Sequence, residues 1–173
     1  GASKLAGDLA VAESGADYLV LRTSWVYGAR GANFLRTILR LAAEREELKI
    51  VADQMGAPTW SRMIAEATAA IVAQCYAAKQ TGLASVKGVY HLTNAGQTSW
   101  HGFTEAILAL TAELASSQGR KLQRVLPIPS SEYPLPAKRT QYYVLSNDKL
   151  AAAFGIVLPD WQTSLAAVVE SVN

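Results

Sequence analysis

The chain has 173 residues, half of them hydrophobic, with a formal net charge of +2 and a single cysteine. That composition excludes a disordered segment, a strongly basic nucleic-acid binder and an internal disulfide. No apolar run reaches the roughly 20 residues that span a bilayer. The composition is that of a globular protein, and the single Cys75 fits a reducing compartment, so a cytoplasmic location is expected. The chain starts at Gly1 in a helix-like pattern, and the natural N-terminus is expected to lie upstream.

The spacing of Leu5, Leu9 and Ala12 predicts a helix over 2–13, stopped by Gly15. Tyr18 to Leu21 is a continuous apolar run, the pattern of a strand buried on both faces in a parallel sheet. Arg22, Thr23, Ser24 and Trp25 follow at once. Ligands in open parallel sheets sit just beyond the carboxyl ends of strands, which makes this cluster the expected ligand mouth.

A Gly-rich loop over 27–32 leads to Asn33, a cap for a helix that turns Phe34, Leu35, Ile38, Leu41 and Ala42 inward. Leu48 to Val51 reads as a short strand, and 53–59 as turn-rich. Ser61 opens a helix with Met63, Ile64, Ala67, Ile71 and Val72 as its buried stripe. Cys75 reads as a small core residue. Gly88 to Thr93 alternates like a strand, and Ser99 to about Ala115 like a helix burying Phe103, Ile107, Leu110 and Leu114. Pro127 and Pro129 bar the next extended piece from a central ladder position. Residues 130–139 are irregular, a short helix from Ser146 ends at Gly155, and Pro159 leads into a last helix through Leu165, Val168 and Val169.

Chemical motifs are sparse. His91 and His101 have no carboxylate at metal-ligand spacing, and Gly28 and Gly31 lack the spacing of a dinucleotide fingerprint. The early elements alternate strand and helix, whereas the later strands are short and widely separated. On the residues alone, this is an α/β domain with a ligand mouth near Trp25.

Several segments together carry a more specific resemblance. They are Gly1-Ala2-Ser3-Lys4, Arg22-Thr23-Ser24-Trp25-Val26-Tyr27-Gly28, Asn33-Phe34 and Asp53-Gln54-x-Gly56-x-Pro58-Thr59. Gly88-Val89-Tyr90-His91-Leu92, Ser99-Trp100-x-x-Phe103, Ala137-x-Arg139 and Leu158-Pro159-x-Trp161-Gln162 follow in order. The chain thereby resembles the C-terminal part of extended short-chain dehydrogenases, and most closely the dTDP-4-dehydrorhamnose reductases.

The resemblance implies the end of a Rossmann-type doubly wound parallel sheet over 1–31. A small α/β substrate-binding lid over 32–173 follows, with some elements returning to the sheet. It implies NADPH or NADH as cofactor, with Mg²⁺ possible in relatives, and a nucleotide-diphosphate deoxysugar as substrate. Lys4 matches the lysine of a Tyr-x-x-x-Lys helix, whose ammonium holds the nicotinamide ribose and lowers the pKa of the proton-donating phenol. The matching tyrosine would fall just before Gly1, so the chain alone is expected to be inactive. Trp25 matches a sugar-nucleotide-binding tryptophan, with Asn33 and Arg139 as further substrate contacts. Thr140 and Tyr143 depart from the family pattern around Arg139. Self-association or a homodimer is expected from apolar surface left uncovered on the first helix. The same scaffold also admits a regulatory subunit like that of methionine adenosyltransferase, or a nucleotide-sugar epimerase.

Overall fold

The computed structural model describes residues 1–78, 82–112, 119–134, 136 and 140–172. Its element order begins α1 (Ala2–Glu13), β1 (Leu19–Arg22), β2 (Val26–Tyr27), α2 (Phe34–Glu44), β3 (Glu47–Val51), β4 (Met55–Gly56) and β5 (Thr59–Trp60). It continues α3 (Ser61–Ala77), β6 (Gly88–His91), β7 (Thr98–Ser99), α4 (Trp100–Leu110), β8 (Arg124–Ile128), α5 (Asp148–Phe154) and α6 (Trp161–Val172). No helix among the described residues is long and apolar enough to cross a membrane.

The α/β class is as expected from the sequence. The strands pair two by two: β1–β6, β2–β5 and β3–β8 are parallel, and β4–β7 is antiparallel. β6 returns from far along the chain to lie beside β1, with Arg22 opposite His91. Among the described residues β8 has β3 as its single neighbour, and Pro127 stands opposite Ile50. An edge position of this kind tolerates a residue that cannot donate to a ladder.

Two apolar clusters hold these pieces together. The larger joins α2, α4 and α6 through Leu35, Ile38, Phe103, Ile107, Leu165 and Val168. The smaller joins α3, α5 and β6 through Ile71, Tyr90, Leu92, Leu150 and Phe154. Between them lies a polar tie. The Asn94 side chain accepts from the Trp60 amide (3.1 Å) and donates to the Pro159 carbonyl (2.9 Å) and the Ser164 hydroxyl. Every group in that tie is deeply buried or faces one that is, so each bond replaces hydration lost on folding.

Three expectations are corrected. β1 is half-buried, not buried on both faces, because β6 is its one paired neighbour among the described residues. Val72 is 59% exposed, and Leu110 also faces outward, since among the described residues neither is covered on its side of the helix. The turn-rich segment 53–59 contains β4 and overlaps β5, and the 27–32 loop overlaps β2; strands of two residues are too short to show a period. Leu114 lies outside the described residues.

Candidate functional site

The strand mouth is assembled from segments far apart in sequence. After Arg22 the chain leaves β1, and the Leu92 amide donates to the Arg22 carbonyl (2.8 Å). Trp25 then turns with φ +49°, the left-handed region that a side chain with a Cβ disfavours by roughly 1–2 kcal/mol. Its carbonyl accepts from the Thr59 amide (3.1 Å), which ties the turn to the head of β5. Strained non-glycine residues persist where the surroundings over-determine them, and they concentrate at functional sites.

The Trp25 indole is half-buried and stacks on Trp100, with ring centroids 3.6 Å apart and planes 12° from parallel. Trp100 in turn meets Phe34 at 4.5 Å, and Phe34 stacks on Phe103 at 5.6 Å. The aromatic ladder therefore runs from the mouth into the main core. Trp100 thus covers one face of the Trp25 indole.

Lys4 lies exposed on α1. Asp8, one turn later on the same face, accepts from Arg22 Nε (2.8 Å) and Nη2 (2.6 Å) at the end of β1. Lys4 stands one helical turn before Asp8, about 6 Å along the α1 axis. Lys4 forms no salt bridge among the described residues. Just after β1, the Ser24 hydroxyl is buried without a hydrogen-bond partner among the described residues.

Asn33 caps α2 as the sequence predicts, its Oδ1 accepting from the Arg36 amide at 3.2 Å. Its Nδ2 also donates to the carbonyls of Gly28 (2.9 Å), Arg30 (3.1 Å) and Gly31 (3.2 Å). The amide is thus committed to shaping the loop below the mouth. Arg139 lies outside the described residues. The segment that follows it is held beside β4: the Met55 amide donates to Gln141 O (2.7 Å) and the Tyr143 amide to Met55 O (2.8 Å).

Asp53, two residues beyond β3, grips the turn after β8, accepting from the Ser130 amide and hydroxyl at 2.9 Å each. Those bonds, the amide's above all, hold its carboxyl below the usual aspartate range. Tyr27 is buried beside Phe103, and burial pushes its phenol far above the ordinary tyrosine value. Its hydroxyl has no partner among the described residues, so it is poorly placed for acid–base work. The His91 ring is satisfied by the Ser146 carbonyl (3.0 Å), which fits the structural role read from its strand position. No three His, Cys, Asp or Glu side chains among the described residues converge as metal ligands would.

Trp100 is visible in the sequence within Ser99-Trp100-x-x-Phe103, but its contact with Trp25 depends on tertiary placement that no local pattern encodes.

Residues 1–173 match the family model described as the RmlD substrate binding domain. The chain is 54% identical over 172 residues to a dTDP-4-dehydrorhamnose reductase of Burkholderia thailandensis, covering 99% of this chain and 57% of that protein. A dTDP-4-dehydrorhamnose reductase of Clostridium acetobutylicum superposes with a TM-score of 0.84 at 31% identity, over 99% of this chain and 55% of the other. The Bacillus anthracis reductase, solved in complex with NADP, gives 0.77 at 32% identity, over 100% and 55%. The chain spans about half the length of the curated relatives it matches. On the fold, the mouth and these matches together, the chain belongs to the RmlD substrate-binding family, that of the dTDP-4-dehydrorhamnose reductases.

Proposed function

We propose that this chain is the sugar-nucleotide-binding portion of a longer, cytoplasmic NAD(P)H-dependent reductase that converts dTDP-4-dehydro-L-rhamnose to dTDP-L-rhamnose. The observation that carries the reading is Trp25, held in a strained turn at the carboxyl end of a parallel strand. The 54% identity to a reductase over nearly the whole chain supplies the chemistry. In this reading residues 1–31 close the nucleotide-binding sheet, and 32–173 mainly form the substrate region, with β6 returning beside β1.

The nicotinamide cofactor supplies, when bound, a hydride for the C4 carbonyl of the sugar. Two groups of this chain suit its polar edge: the Lys4 ammonium and the Ser24 hydroxyl, neither of which has a side-chain partner among the described residues. Lys4 holds the ribose and, by charge proximity, lowers the pKa of a tyrosine that precedes Gly1 in the whole protein. That phenol protonates the C4 oxygen. Trp25 borders the sugar, and its indole N–H is a donor for a ring oxygen. Arg139 grips the diphosphate, its neighbours Gln141 and Tyr143 being paired beside β4. Asn33 serves the substrate side by fixing the 28–31 loop. Exposed leucines on α1 leave a face for self-association or a homodimer.

The test joins this chain to the residues encoded upstream of Gly1 and follows NADPH oxidation with dTDP-4-dehydro-L-rhamnose. Turnover by the longer protein, and none by the 173-residue chain, is expected. No turnover by the longer protein, alongside tight binding to another protein, would replace the reductase reading with a regulatory one.

A further inference from the structure

We propose that Trp100 and Gly56 act as a clamp that positions the Trp25 indole, so that it meets the sugar nucleotide by its edge rather than its face. The inference rests on the reading of Trp25 as a substrate contact and assigns that contact its positioning residues.

The geometry of the ring's two faces carries the argument. Trp100 covers one face at a centroid distance of 3.6 Å. A Cβ placed on Gly56 would stand 2.5 Å from Cε2 of Trp25 and 2.8 Å from each of Cδ2 and Cζ2. A point in the ring plane outside Cε2 would stand much further from Cδ2 and Cζ2 than from Cε2, so distances this nearly equal place the Cβ above the plane. The face under Trp100 has no room for it, so the Gly56 backbone lies over the opposite face. Only glycine permits that approach.

Both jaws belong to one hydrogen-bonded unit. β4 pairs with β7, placing Gly56 opposite Thr98, and Trp100 starts α4 immediately after β7. The α4 start is fixed by Ser99, whose hydroxyl accepts from the Gly102 amide (3.0 Å). Trp100 is backed by Phe34 and through it by buried Phe103. The Thr59 amide holds the Trp25 carbonyl from a third side. Such support is what a left-handed φ at a tryptophan requires. With both faces covered, the edge is the part of the half-buried indole left to meet a ligand, and that edge carries the N–H donor.

Two readouts test this. A stacked indole pair gives an exciton couplet in circular dichroism, measurable on the 173-residue chain without ligand. The couplet is expected in the native chain and lost equally in Trp25→Phe, Trp100→Leu and Gly56→Ala, with helical signal retained. In the longer protein, Trp100→Leu is expected to raise the KM for the sugar nucleotide about 3- to 10-fold, the worth of an aromatic pair. The KM for NADPH should stay unchanged, and Trp100→Phe should recover most of the loss. A couplet that is absent, or that survives Trp100→Leu, overturns the clamp. So does an unchanged sugar-nucleotide KM once the couplet is gone, provided Trp25→Phe itself raises it. If Trp25→Phe leaves that KM unchanged, the assignment of Trp25 to the substrate site falls instead. Gly56→Ala gives the same comparison if Trp100→Leu does not fold.

Discussion

α1 and α4 are nearly equal in length, at twelve and eleven residues, yet α1 buries none of its side chains and α4 buries four. α4 sits at the centre of the aromatic cluster, and its first residue is one jaw around Trp25. α1 touches β1 through the Asp8–Arg22 ion pair and presents Leu5, Leu9 and Val11 to the surroundings. The two helices carry the two halves of the proposed site. The half bearing Trp25 is rigidly built from within this chain. The half bearing Lys4 has an apolar face that finds no cover among the described residues, and a surface of that kind seeks a partner.

The contrast can be broken by substitution. Phe103 is 0% exposed and packs edge-on to Tyr27 and Trp161. Phe103→Ala is expected to cost about 3–5 kcal/mol in urea denaturation, enough to unfold a marginal domain. An effect below about 1 kcal/mol would show that the cluster is loosely packed.

A smaller effect comes from Asp53, which joins the end of β3 to the turn after β8. Its folded pKa is lowered, so the stability it contributes is present above the ordinary aspartate pKa of about 3.9. That contribution is lost as the pH falls through the lower folded value. The difference in urea midpoint between native chain and Asp53→Asn should therefore be constant near neutrality and shrink on acidification below about pH 4. A difference independent of pH would mean that the carboxylate charge is not what holds Ser130.

Tyr27→Phe probes the core from within. The hydroxyl it removes is buried and unpartnered among the described residues, so the variant is expected to be neutral or up to about 1 kcal/mol more stable. Marked destabilisation would reveal a bond to that hydroxyl. Leu9→Ala, on the uncovered face of α1, should change the stability of the 173-residue chain by less than about 0.5 kcal/mol. A core-sized loss there would show that α1 is already covered, for example by a second copy.

The elements that can be read from the sequence are those fixed by local physics. The α2 cap at Asn33 follows from a short amide side chain before an apolar stripe. Gly155 ends α5 in the left-handed conformation that glycine favours, with φ +64°. β1 follows from an apolar run that stops at Arg22. What stays hidden depends on distant partners. Val72 and Leu110 fall on helical stripes, but a period cannot tell which part of a stripe another element covers. The stack of Trp25 on Trp100 requires β4 and β7 to pair first, and strands of two residues leave no pattern to read.

The most direct test of Trp25 as a substrate contact is kcat/KM for dTDP-4-dehydro-L-rhamnose at saturating NADPH, compared between the longer protein and its Trp25→Ala variant. A central tryptophan contact is worth 2 kcal/mol or more, so a fall of roughly 30-fold is predicted, with the KM for NADPH unmoved. An unchanged kcat/KM would contradict the placement of the sugar nucleotide at the mouth of β1.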